Sequence, residues 1–298
     1  MNFELRFTMV NFLKYRLIYL LISLLVIGTG MFSIIKWGYH YSIDFVGGTN
    51  IQYQVKQINN WEQFKKEIAE KKIKLTAVDL KNNQISLRME PINEKQERQL
   101  RSAFEKKFKL KLELLKFETV GPVIGAETIK KTMIAAILAI MGILIYMSFS
   151  FKGFNYAVSA IVALIHDLLV VVGSYSLMSH FLGVELDTLF VTAVLTTMSF
   201  SVHDTIVIFD KIREYFNIEG KADIEYFANK ALTETMVRSI NNSMTIVFML
   251  LALTLLGGAM IRFFILTLLI GTITGTYSSP FVATPILVWL EKRKQKQL

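Results

Sequence analysis

The chain is 298 residues long, 53% hydrophobic and only 19% charged. Soluble domains are about one quarter charged, so the composition excludes an ordinary soluble fold and points to an integral membrane protein. With no cysteine, disulfides, thiol chemistry and cysteine-ligated zinc are excluded. The net charge of +9 does not call for nucleic acid, because many Lys and Arg flank apolar runs, where the positive-inside bias accounts for them.

A hydrocarbon core about 30 Å thick takes about 20 apolar residues as a helix. Six runs meet that length, near 16–35, 131–150, 154–178, 186–209, 238–258 and 262–290. The first follows Lys14 and Arg16 with no A-x-A-like cleavage site after it, and reads as an uncleaved anchor. Charged residues concentrate between the first and second runs. The expected organisation is an N-terminal segment and first span over 1–36, a folded domain over 37–128, and a five-helix membrane domain over 129–298.

Orientation follows from the short loops. Arg6, Lys14, Arg16, Lys152, the link 210–237 with Lys211, Arg213, Lys221 and Lys230, and the basic tail "EKRKQKQL" fall on one side of six spans. The opposite links, "MSHFLGVELD" and "GGAMIR", carry a single Arg262. Both termini are therefore expected in the cytoplasm and the 37–128 domain outside.

Within that domain, "TNIQYQVK" (49–56) alternates as a strand and "WEQFKKEIAEKK" (61–72) is an amphipathic helix. "LTAVDLK" and "QISLRME" flank "NN" (82–83) as a hairpin, "NEKQERQLRSAFEKKF" (93–108) is helical, and "KLELLKFETV" (111–120) is a strand. The order βαββαβ is that of a split-βαβ, ferredoxin-like α+β domain. No metal-binding or catalytic cluster stands in it, which favours a structural or protein-contacting role.

The third run holds "ALIHDLLVV" (163–171), with His166 and Asp167 near its middle. Such a pair is either a hydrogen-bonded tie between helices or part of a proton relay. In the fourth run, "SFSVHDTIVIFD" (199–210) places His203 beside Asp204. At about 100° per residue, Val194, Leu195, Met198, Val202, Ile206 and Phe209 share one arc, expected to face lipid. Thr196, Thr197, Ser199, Ser201, His203 and Asp204 share most of the rest, expected to face a bundle. Adjacent side chains diverge, so His203 and Asp204 are each expected to find a partner on another helix.

For Asp204 that partner is expected to be Arg238, at the opening of the fifth run, either paired with it or exchanging pairing when Asp204 takes a proton, with Asn241, Asn242 and Thr245 following at helical spacing. A carboxylate raised by desolvation and lowered by a guanidinium is a switchable proton site. Asp167 and Asp204 also suggest an intramembrane aspartyl protease, which needs two carboxylates sharing a proton; Arg238 argues against it. "KIREYFNIEGKADIEYF" (211–227) reads as an interfacial helix. "GTITG" (271–275) reads as a helix-packing motif, and Pro280 and Pro285 are expected to bend or end the sixth helix. The absence of a G-x-x-x-x-G-K-[ST] loop leaves no ATP site of that kind.

Several of these stretches together resemble the bacterial SecD/SecF family. "YSIDFVGGTN" (41–50), with Asp44, Gly47 and Gly48, resembles the motif that opens the family's extracytoplasmic domain, and "VGPVIG" (120–125) the segment that returns it to the membrane. "ALIHD" (163–167), "FSVHDTIVIFDKIRE" (200–214), "RS" (238–239) and "IGTITGTYSS" (270–279) are similar to the SecF branch in order and spacing. The resemblance implies a six-helix, RND-type half with one ferredoxin-like domain, in the cell membrane, without enzymatic activity or a cofactor. It implies a subunit that works with SecD beside the SecYEG channel, with YajC and SecA in the same machinery, and that uses proton or sodium motive force to complete preprotein translocation. By position Asp204 matches the family's ion-coupling aspartate and Arg238 its arginine. The chain departs from the family at His203, where Asn is usual, and at "SINNSMT" (239–245), where the family is richer in Thr and Ser. Exporters of lipid or small molecules from the same superfamily are the alternative; they usually carry larger outer domains and a second six-span half.

Overall fold

The computed structural model describes residues 9–55, 75–81, 84–108, 110–150, 153–220, 223–258 and 260–295. The helix expected over 61–72 and the turn at 82–83 lie outside those residues. The chain divides into two compact units, Tyr41–Ile134 and the combination of Met1–His40 with Ala135–Leu298.

Among the described residues, the first unit contains a four-stranded sheet and a helix packed on it. Strands β1 (Gly48–Val55), β2 (Leu75–Lys81), β3 (Gln84–Met89) and β4 (Leu112–Val120) lie in the order β2-β3-β1-β4, every neighbouring pair antiparallel. That order is the split-βαβ arrangement expected from the sequence. The period of two along each strand turns Ile51, Tyr53 and Val55 of β1 and Ile85, Leu87 and Met89 of β3 to one face, where they pack with Phe104 of α2 (Glu94–Phe108). Asn50, Gln52 and Gln54 take the other face.

Before β1, Ser42 caps a helical turn over Ile43–Val46 by accepting from the Asp44 backbone N–H at 3.3 Å. Gly47 follows at φ +73°, and a Cβ there would lie 2.8 Å from Pro122 Cα. Only glycine meets both demands at once. The Gly pair of the opening motif therefore serves a backbone crossing.

The buried Glu97 carboxylate, 3% exposed, accepts from the Tyr53 hydroxyl at 2.9 Å, and Arg101 Nε lies 3.4 Å from the same oxygen. Burial, and then the bond to Glu97, raise the Tyr53 hydroxyl above the ordinary tyrosine range. A raised tyrosine stabilises the fold below its unfolded value near 10, and that contribution is lost as pH climbs through the higher folded value. Tyr53→Phe leaves Glu97 short of a donor and is expected to cost about 1–3 kcal/mol, read as a lowered unfolding midpoint of the purified chain.

The second unit contains the membrane bundle. Its helices are α1 (Arg16–Lys36), α3 (Pro122–Ser150, of which residues from 135 belong here), α4 (Phe154–Leu182), α5 (Thr188–Glu219), α6 (Ile224–Leu256) and α7 (Arg262–Ser278). A π-helical segment, Ser279–Ala283, joins α7 to α8 (Thr284–Gln295). Six of these stretches, counting α7 to α8 as one, are long and apolar enough to cross a membrane. The buried core lies in α4, α5, α7–α8 and the first turns of α6, while α1, α3 and the apolar stretch of α6 leave most of their surface open.

Small residues set the closest approaches, as expected where helices pack without a hydrophobic drive between them. A Cβ on Gly30 of α1 would lie 2.8 Å from Gly173 Cα of α4. One on Gly271 of α7 would lie 2.2 Å from Thr197 Cγ2 of α5, and one on Gly275 would lie 3.0 Å from Ser201 Cα. The "GTITG" motif is a helix contact.

Two expectations are corrected. No separate interfacial helix forms over 211–227, because α5 runs on to Glu219 and α6 begins at Ile224. The apolar face of that stretch finds its partner within the resulting hairpin, where Ile212, Ile224, Phe227 and Leu232 are buried and the Phe216 and Phe227 rings stand 4.8 Å apart. Both termini hold it: Asn229 Oδ1 accepts from the Leu13 N–H at 3.2 Å, and Lys292 pairs with Glu225 and, at 3.4 Å, with Asp223. Of the two outcomes expected for Pro280, bending or ending the sixth helix, the second does not occur, and the regular helix is interrupted there. Pro280 sits in the π segment, where Thr284 N–H reaches back to Ser279 O, a wider turn that accommodates the ring.

Candidate functional site

Helix α5 is central, and its faces differ from the sequence expectation. Val194, Met198, Val202 and Phe209 are buried in the bundle core together with Ala160 and Leu164 of α4. The arc expected to meet lipid is a packing face. The polar arc splits in two. Thr197, Ser201 and Asp204 are buried, as is the nearby Thr205, Thr196 is half-buried, and Ser199 and His203 are exposed.

Asp204 Oδ2 accepts a hydrogen bond from Ser239 Oγ of α6 at 2.8 Å. One turn further along α6, Ser243 Oγ accepts from Thr276 Oγ1 of α7 at 2.7 Å. Between α5, α6 and α7 lies a cavity of about 20 Å³, whose polar lining is Ser201, His203, Asp204, Asn242, Ser243, Thr272 and Thr276. Asn242 thus reaches the site, whereas Asn241 and Thr245 are exposed and Thr245 Oγ1 donates to Asn242 O.

Arg238 does not pair with Asp204. Ser239 takes that position, and the residue before it leaves the helix about 100° away. Arg238 instead lines an open cleft of about 360 Å³ with Val207, Asp210, Lys211, Glu214, Glu234 and Thr235. Lys211 there stands 3.2 Å from Glu214 and 3.0 Å from Glu234. Among the described residues Asp204 forms no ion pair.

Asp167 is the second buried carboxylate. Its Oδ2 accepts from Ser278 Oγ of α7 at 2.6 Å and from Ser201 Oγ of α5. Its Oδ1 lies 2.8 Å from His166 Nδ1, and His166 Nε2 lies 3.0 Å from Ser23 Oγ of α1. Adjacent residues do meet here, because the imidazole is long enough to bend back to its neighbour's carboxylate. Ser23 Oγ is in turn 3.3 Å from the Tyr277 hydroxyl, which donates to Tyr19 O at 2.8 Å. The chain of contacts joins α1, α4, α5 and α7.

Sequence reasoning missed Ser23, Ser239, Ser243, Thr276, Tyr277 and Ser278. The available signal was hydroxyl residues inside apolar spans, as in "TYSS" (276–279). Among the described residues no hydrogen bond joins Asp167 to Asp204, so the shared-proton geometry of an aspartyl protease is not formed. Nor does any group of three or more His, Asp or Glu among those residues have the makings of a metal site. The arrangement can hold charge or a proton on two carboxylates, each cradled by neutral hydroxyls at bundle depth.

Comparison with known proteins gives concordant matches. The family described as protein export membrane protein SecD/SecF, C-terminal, matches residues 99–293, and the SecD/SecF GG motif matches residues 40–57. The protein translocase subunit SecF of Thermobaculum terrenum is 39% identical, over 96% of this chain and 95% of its own. That of Anaerolinea thermophila is 36% identical, over 94% of each. The crystal structure of SecDF, a translocon-associated membrane protein from Thermus thermophilus, matches with a TM-score of 0.83 at 29% identity. That match covers 95% of this chain but only 39% of the longer SecDF chain.

Proposed function

Because the chain belongs to the SecD/SecF family of protein export membrane proteins, we propose that it acts as a SecF-type subunit that uses ion flow to drive late preprotein translocation. The observation that carries this reading is Asp204: a buried carboxylate inside a membrane bundle, held by the Ser239 hydroxyl rather than by a cation. Intramembrane carboxylates in such settings mark ion and proton paths. One elementary charge crossing 100 mV yields about 2.3 kcal/mol, enough to bias a domain movement without nucleotide. Asp167 and His166 form the supporting ionisable pair, and Arg238 waits in the neighbouring cleft.

The partner is a second six-helix half of SecD type, beside a SecYEG channel, with YajC and SecA in the same assembly. Two facts support the second half of SecD type. The match to SecDF leaves most of that longer chain uncovered, and His203 and Ser199 stand exposed on the central helix of the bundle, where polar groups facing lipid are costly. In this reading the protein lies in the cell membrane with both termini in the cytoplasm. Depleting the protein from cells is expected to slow late export of a pulse-labelled reporter preprotein and to make the residual export insensitive to an uncoupler. Unchanged, uncoupler-sensitive export after depletion would refute the assignment.

A further inference from the structure

The two buried carboxylates have separate hydrogen-bond partners but share one side chain. Ser201 donates to Asp167 Oδ2, and the same residue lines the cavity that holds Asp204. That cavity, at about 20 Å³, has room for a single water with several polar neighbours. We infer that Ser201 is the link between the two carboxylates, and that the Asp167–His166 pair is a second proton-holding site in communication with Asp204.

This inference deepens the reading of Asp204 as the ion-binding group and rests on it. The step conserves protons overall. The Asp204 carboxyl gives its proton to the cavity water, and the water gives one to Ser201 Oγ. The original Ser201 proton moves to Asp167 Oδ2 along the existing hydrogen bond. Each intermediate oxygen gains one O–H bond and loses one, so a proton has moved from Asp204 to Asp167. His166, bonded to Asp167 through Nδ1 and next to Ser23 through Nε2, then stabilises the protonated pair or takes the proton itself.

The other charged and titratable groups near this route are few. His203 lines the same cavity from α5. Arg238 lies in the cleft beyond Ser239, with Asp210, Lys211, Glu214 and Glu234. Tyr277 stands 3.3 Å from Ser23 Oγ and packs beside His166, ring centroids 6.2 Å apart, and Arg16 lines a cleft of about 270 Å³ with Ser23 and His166. Helix α7 contributes neutral hydroxyls to the cavity, Thr272 and Thr276.

A control is built into the site. Ser278 also donates to Asp167 Oδ2, at 2.6 Å, but does not line the Asp204 cavity. Ser201→Ala and Ser278→Ala each remove one donor from the same carboxylate, and only the first cuts the link. The measurement is an infrared pH titration of the full chain in phospholipid nanodiscs, following the carboxyl band that disappears in Asp204→Asn. Coupled groups titrate together, so Ser201→Ala and Asp167→Asn are each expected to move the Asp204 midpoint, and Ser278→Ala to move it less. Equal shifts in all three variants, or none in any, would overturn the link. Should Ser201→Ala fail to fold, the nearly isosteric Asp167→Asn decides: an unmoved midpoint overturns it. The titration involves no preprotein, so a failure of the export assignment shows up separately, in the depletion experiment.

Discussion

Asp204→Asn is expected to leave the protein folded and assembled while abolishing the uncoupler-sensitive part of preprotein export. The substitution is close to isosteric, and Asn still offers an oxygen to the Ser239 hydroxyl that now donates to Asp204 at 2.8 Å. What it removes is the ability to bind and release a proton or to balance a cation. With about 2.3 kcal/mol available per charge per 100 mV, and about 1.4 kcal/mol per tenfold change, losing one coupled charge removes a bias of about fifty-fold. In pulse-chase export of a reporter, the variant should run at the rate that unsubstituted cells reach only with uncoupler present. Uncoupler-sensitive export at the normal rate would take Asp204 out of the coupling step.

The second large effect is structural. Gly271→Ala places a methyl carbon 2.2 Å from Thr197 Cγ2 and 2.4 Å from Thr197 Cβ, distances that no rotamer change at Thr197 relieves, because Cβ is fixed to its backbone. Helices α5 and α7 must separate, at an expected cost of about 1–3 kcal/mol or more. The separation also stretches the contacts that Ser201 and Ser278 make to Asp167 from those two helices. Thr197→Gly in the same chain removes the obstructing side chain and should restore most of the unfolding midpoint, measured by thermal melting in detergent. A Gly271→Ala protein as stable as the unsubstituted one would show that the two helices are not held at that distance.

The features legible in the sequence were those set by local periodicity. Span length, strand alternation in "TNIQYQVK" and the paired glycines of "YSIDFVGGTN" each depend on a few neighbouring residues, and each element appears where its pattern lies. The features that were not legible depend on which helix lies beside which. A helical wheel separates polar from apolar residues on α5, but in a membrane both lipid and a neighbouring helix accept an apolar face. Val194, Met198 and Phe209 gave no sign that they pack inward. A buried carboxylate points to a cation as its partner, but a one-residue difference on α6 gives the contact to Ser239 and leaves Arg238 in the cleft. Likewise the amphipathic stretch after Phe209 satisfied its apolar side within its own hairpin, a solution that sequence pattern alone does not distinguish from a membrane surface.

The π-helical turn at Ser279–Ala283 acts as a phase adjustment. At its start two consecutive serines serve different neighbours, Ser278 on Asp167 of α4 and Ser279 on Thr205 of α5 at 2.8 Å. The same adjustment sets the angular position of everything after it. Removing one residue there would turn α8 by about 100° and swing Lys292 away from Asp223 and Glu225. The clasp on the α5–α6 hairpin is thus kept in register by the turn that directly follows the serine on the buried carboxylate, so the carboxylate contact and the clasp lie on either side of one adjustable turn.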